Sequence, residues 1–203
     1  IERINTEKSI VYIAYSIQQE NKFYDIDLNI PMINIKGNIP KEFHKVTQEV
    51  FVKKANEVRK NKNNAEKIIY SIDYVGYLND NILSIIIKSS LKQGNNPQRI
   101  IIQTYNYNIE TKEKVSLNNI IEQKNINVQE LQNKINDVLK SVKKEETILI
   151  NSGYPVYERN LESEIYKTEN ITNFFLNEEG KLYIVFAYGN QNFTSEFDIV
   201  KYE

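Results

Sequence analysis

The side chains available for chemistry in this 203-residue chain are few and scattered. His44 is the single histidine, and neither a serine elbow nor a glycine-rich turn surrounds it. Paired-histidine zinc motifs and two-histidine active sites are therefore excluded. Cysteine is absent, which removes disulfides, thiolate metal sites, iron–sulfur clusters and thiol nucleophiles. Asp25 and Asp27 fall two apart on an alternating run, a spacing open to calcium binding or acid–base work. Alternation alone also places them on the solvated face of a strand, and that is the expectation here. Glu162 and Glu164 are read the same way. Lys53, Lys54, Arg59, Lys60 and Lys62 are interleaved with Glu49 and Glu57, the pattern of a solvated helix face. No catalytic residue, metal site or cofactor is expected.

Tyrosine is the unusual residue type, with 14 copies and no tryptophan. It offers a stiff contact area with a polar tip, suited to stacking on sugars or to a protein interface. With 26 basic against 27 acidic side chains, the chain has no global footprint for a polyanion, so no nucleic-acid partner is expected. Asn170-Ile171-Thr172 and Asn192-Phe193-Thr194 match the glycosylation acceptor pattern, and in so asparagine-rich a chain they are expected by chance.

The elements that must position these residues follow from periodicity. Ile10, Tyr12 and Ala14, then Tyr24, Ile26, Leu28 and Ile30, alternate as strands. Phe43, Val46, Val50, Phe51, Ala55 and Val58 recur at helical spacing between about Lys41 and Lys60. Ile68–Tyr74, Ile82–Leu91 and Arg99–Ile109, separated by Asn79-Asp80-Asn81 and Gln93–Pro97, read as an antiparallel meander. Asn127 caps a second helix, with Glu130 placed for a capping box and Val128, Leu131, Ile135, Val138, Leu139 and Val142 as the buried stripe. Strands at Thr172–Leu176, Leu182–Ala187 and Glu196–Tyr202 close the chain. The expected class is α+β, antiparallel sheets with two main helices packed on them.

The segment Tyr105-Asn106-Tyr107-Asn108 through Leu117, the helix at Asn127–Lys144, and Asn173-Phe174-Phe175-Leu176 followed by Glu179–Phe186 together resemble RsiV-like proteins. Tyr24–Pro31, the Lys41–Lys60 helix and the meander are similar to the N-terminal half of the same tandem. The resemblance implies an N-terminal PdaC-like half over residues 1–98 and a C-terminal RsiV-like half over 99–203, packed as one unit. It further implies an extracytoplasmic, non-enzymatic module of a Gram-positive envelope. The partner would be lysozyme or another envelope protein, as for anti-sigma factor ectodomains. Alternatively, the module would hold a PdaC-type deacetylase on peptidoglycan glycan. Membrane contact would come only through an anchor or signal outside this chain. Where the family often carries Gly-Ala-His, this chain reads Gly94-Asn95-Asn96-Pro97, and the histidine's role is lost. Tyr105, Tyr107, Tyr154 and Tyr157, with Gly94, Asn95 and Asn96 nearby, are the expected partner-binding patch.

Overall fold

The computed structural model describes residues 10–60 and 66–202. Strands β1 (Val11–Glu20) and β2 (Tyr24–Ile33) form a hairpin, followed by α1 (Ile39–Thr47), a π turn at Gln48–Val52 and α2 (Lys53–Lys60). Next come β3 (Ile68–Asn79), β4 (Ile82–Gln93), β5 (Arg99–Asn108) and the short β6 (Glu113–Lys114). Helices α3 (Leu117–Gln123) and α4 (Val128–Asn151) lead to β7 (Phe174–Leu176), β8 (Leu182–Ala187) and β9 (Phe197–Tyr202). β1 to β6 lie in sequence order in one sheet, and β7 to β9 in a second. The α+β expectation holds. One pair departs from the antiparallel pattern: β2 and β3 run parallel, because the helical crossover returns the chain to the same end of the sheet.

The first helical stripe explains the π turn. Phe43, Thr47, Phe51 and Ala55 are buried at successive spacings of four. An α-helix of 3.6 residues per turn would rotate such a row off the core, and a wider turn at its centre brings it back. Thr47, absent from the expected stripe, is buried because its hydroxyl donates to the carbonyls of Phe43 and His44, both at 3.0 Å. This layer seals a core over Ile26, Leu28, Ile72, Ile85 and Ile87 on one face of the large sheet.

The other face meets the second core, formed by α3, α4 and the small sheet. The boundary expected after residue 98 falls inside the β4–β5 hairpin, so the two cores share one sheet and do not separate there. Asn127 caps α4 as expected, its Oδ1 accepting from the N–H groups of Gln129 and Glu130. The reciprocal capping box lies instead on α3, between Ser116 and Asn119. Val128 is corrected from the buried stripe to the surface, being 50% exposed at the first position of α4, ahead of the packed turn. Leu131, Ile135 and Leu139 are buried. Leu131→Ala is expected to cost about 2–5 kcal/mol in a denaturant melt. A change below about 0.5 kcal/mol would show that this face is not core.

The two sheets are joined by polar side chains acting as substitute strands. The free edge of β5 needs partners for its peptide groups. Asn190 Oδ1 accepts from Ile102 N–H at 3.0 Å, and its Nδ2 donates to Ile102 O at 2.8 Å. Asn173 Oδ1 accepts from Thr104 N–H at 3.1 Å, while Asn106 Nδ2 donates to Phe174 O at 2.7 Å. These amides fix the position of β7 and of the turn after β8, and so build the site below.

Candidate functional site: an amide-lined cleft beside Tyr157

The expected tyrosine patch does not assemble as one surface. Tyr107 is 1% exposed and Tyr105 is half-buried, and both rings meet Phe43 edge-on, at 6.3 and 5.2 Å. Alternation did place them on one face, and that face is the core beneath α1. Tyr107 is therefore corrected to a packing residue. Burial pushes both hydroxyls up from their ordinary value. The Tyr107 hydroxyl is buried without a hydrogen-bond partner among the described residues. Tyr107→Phe is accordingly expected to leave stability unchanged or to raise it by up to about 1 kcal/mol, read from the denaturation midpoint. A loss above that size would mean that the hydroxyl has a partner.

Gly94, Asn95 and Asn96 form the exposed-side β4–β5 turn, with Gly94 at φ +50°. Leu83 pairs with Tyr107 and Leu91 with Arg99, so this turn lies past the opposite end of the hairpin, more than about 27 Å from Tyr107 at the rise of a strand. The expected proximity is thereby corrected. Tyr154 is 62% exposed past the end of α4. Tyr157, of the expected patch, lines a cavity together with Tyr188.

That cavity, of about 300 Å³, opens between the end of β8, the 3-10 turn Tyr188–Asn190 and the segment before β7. Tyr157 forms one wall, and Asn170, Thr172, Gln191 and Asn192 supply polar groups around it. Asn170 Nδ2 donates to Glu164 O at 3.0 Å, leaving its Oδ1 without a protein partner among the described residues. Asn192 Nδ2 reaches the Tyr157 hydroxyl at 3.5 Å. No carboxylate, amine or imidazole lines the cavity among the described residues.

Beneath the wall sits a buried ion-pair network that holds it rigid. Arg159 donates from Nε to Asp198 Oδ2 at 2.7 Å and from Nη2 to Asp198 Oδ1 at 3.0 Å, a bidentate pair. The Tyr188 hydroxyl donates to Asp198 at 2.5 Å and shares a 2.9 Å hydrogen bond with Tyr166. Tyr157 stacks on Tyr188 with ring centres 4.3 Å apart, and the Arg159 guanidinium lies 5.1 Å from the Tyr188 ring centre. Burial and the Asp198 carboxylate together drive the Tyr188 hydroxyl far above its ordinary value, so it stays a donor. Glu146 completes the network, accepting from Arg159 N–H at 3.1 Å and from Lys143 Nζ at 2.6 Å.

Glu146 is expected to make the site acid-sensitive. Burial pushes its carboxyl up, but the hydrogen bonds from Lys143 and Arg159 and their charges outweigh this and hold it below 4.5. A depressed folded value contributes stability above pH 4.5, and that stability is lost as pH falls through the folded value. Glu146→Gln is expected to flatten the acid limb of the stability–pH profile below about pH 4.5. An unchanged limb would assign acid sensitivity to other carboxylates.

Chemically, the cleft has neutral donors and acceptors facing a preorganised aromatic wall. Such a lining offers hydrogen-bond donors and acceptors of the kind that suit a neutral polar ligand. Asn170, Asn173, Asn190, Asn192 and Gln191 were not legible as site residues, since abundant asparagine gives no local signal. His44, by contrast, is exposed on α1; of the carboxylate pair on β2, Asp27 is exposed as expected and Asp25 is half-buried.

No family model and no curated protein matches this chain. A solved DUF3298 family protein from Pseudomonas aeruginosa PAO1 superposes with TM-score 0.53 at 12% identity, covering 90% of this chain and 83% of that one. A DUF3298 member from Bacteroides fragilis NCTC 9343 covers 88% of this chain and 80% of that one, at 10% identity and TM-score 0.43. The chain thus shares its fold with the Pseudomonas DUF3298 family protein.

Proposed function

We propose that this chain is a non-enzymatic binding module of the bacterial envelope that holds an N-acetylated glycan segment in the cleft beside Tyr157. The observation that carries this reading is the lining itself: amide and hydroxyl groups, no carboxylate, amine or imidazole among the described residues, and one aromatic wall. Acetamido groups both donate and accept, as the side chains of Gln191, Asn192 and Asn170 do, and a sugar face stacks on a tyrosine ring. The RsiV-like resemblance of the sequence supports an extracytoplasmic setting.

The test is a calorimetric titration of the whole chain with N-acetylated chitooligosaccharides and with peptidoglycan fragments. Gln191→Ala and Asn192→Ala, both at exposed positions, are expected to weaken binding about fivefold or more without moving the melting temperature. Binding that is absent, or indifferent to both changes, would remove the glycan reading.

A second reading, a sensor that binds lysozyme, is favoured by one observation. Ile148, Leu149 and Ile150 at the end of α4 and Tyr154 beyond it are all exposed, with Ile148 at 65%. A protein partner covers such an apolar tip. Lysozyme association that is lost in Ile148→Ser and Tyr154→Ala but retained in Gln191→Ala would decide for it.

A further inference from the structure

We propose that the wedge between the outer faces of the two sheets binds a single-chain amphiphile with a zwitterionic head. This site is separate from the amide cleft; of the lining residues, only Val185 is common to both. On the large sheet, the register sets the outward side chains in rows of graded polarity. Val75 pairs with Ile86, Asp73 with Lys88, and Ser71 with Ser90. Successive rows stand about 6.6 Å apart, two residues along a strand. The order is therefore apolar, then charged, then hydroxyl.

The small sheet leans over the apolar row, with Phe175, Val185, Phe197 and Ile199 opposite Val75 and Ile86, enclosing about 280 Å³. At the mouth, Val75 is 48% and Ile199 47% exposed, so an alkyl chain laid between them removes apolar surface from water. A second hollow of about 320 Å³ continues from it, lined by Ser71, Ser90 and Gln98, and the two hollows share Asp73 and Lys88. The apolar space thus ends on the charged row.

The charges select the head group. Asp73 accepts only its neighbour's N–H, that of Tyr74 at 2.8 Å, and neither Asp73 nor Lys88 forms an ion pair among the described residues. Cross-strand neighbours carry their Cβ atoms about 5 Å apart. Opposite charges at that spacing complement a phosphate and an amine joined by a short linker. Asp27, in register with Ser71, adds negative charge beyond the row and opposes a purely anionic head. Gln98 Nε2 donates to Ser90 Oγ, so the amide oxygen of Gln98 remains to accept from an ammonium.

The experiment titrates the isotopically labelled full chain with lauroyl lysophosphatidylethanolamine, below its micelle concentration, against lauroyl lysophosphatidylglycerol. Saturable amide shifts are expected at Val75, Ile86, Lys88 and Ile199, with the zwitterionic lipid bound about tenfold more tightly. Asp73→Asn should remove that preference, and Lys88→Gln should weaken both lipids about fivefold. Val75→Asp combined with Ile199→Asp, both at exposed positions, should abolish the shifts while the melting temperature stays unchanged. Shifts seen only above the micelle concentration, or binding indifferent to Asp73 and Lys88, would overturn the proposal. So would a wild-type dimer that the double aspartate variant dissolves, since a second copy would then occupy the wedge.

Discussion

Arg159→Ala is expected to unfold the C-terminal half or destabilise it by about 3–5 kcal/mol. Asp198, Glu146 and Glu196 all lie within ion-pair distance of this one guanidinium, at 2.7, 3.5 and 3.1 Å. Asp198 and Glu146 are buried with it. Removing the cation leaves these carboxylates facing each other without water, a far greater loss than the net worth of the pair. Lys143 still reaches Glu146 but not Asp198, so the orphaned charge sits under Tyr188. The wall of the cleft is then expected to loosen with the fold. Replacing both charges, as in Arg159→Met with Asp198→Leu, removes the orphan and is expected to recover much of the loss. A chemical-denaturation cycle over the two singles and the double measures this. A single-variant loss below about 1 kcal/mol would mean that water reaches the network.

Gly189→Ala is expected to cost about 3 kcal/mol or more, beyond the usual penalty for an overpacked core. A Cβ at this position would lie 1.7 Å from Ile100 O and 2.7 Å from Thr194 O, both backbone atoms that no rotamer change can move. The close approach is needed because Arg99 Nε donates to Gly189 O at 2.7 Å and Ile100 N–H to Thr194 O at 3.0 Å. Pushing the turn away breaks both bonds and withdraws Asn190 from the edge of β5. Thermal melts with near-ultraviolet dichroism, which reports the Tyr157–Tyr188 stack, check the effect. A variant within about 0.5 kcal/mol of the parent would show that the turn has room to shift.

The amino-acid sequence by itself determined the elements. Alternation marked β1 to β5, helical spacing marked the Phe43 and Leu131 faces, and Asn127 and Asn79-Asp80-Asn81 marked a helix start and a hairpin turn. These signals are local, carried by residues within one turn or one strand of each other. Sequence also determined that Tyr105 and Tyr107 share a face, since the period of a strand is two.

Which face that was, only the tertiary structure decided. A strand with apolar or aromatic residues on both sides can turn either side inward, and here the position of α1 puts the Tyr105 side against Phe43. The buried network was equally hidden, because Arg159, Asp198 and Glu146 are separated by long stretches of chain and look like surface charges until α4 and β9 bring them together. The asparagines of the cleft and of the β5 edge carry no periodicity at all. The role of Asn173 and Asn190 at that edge comes from unpaired peptide groups on a strand 69 to 88 residues away, and the need to satisfy those groups arises only once the two sheets meet.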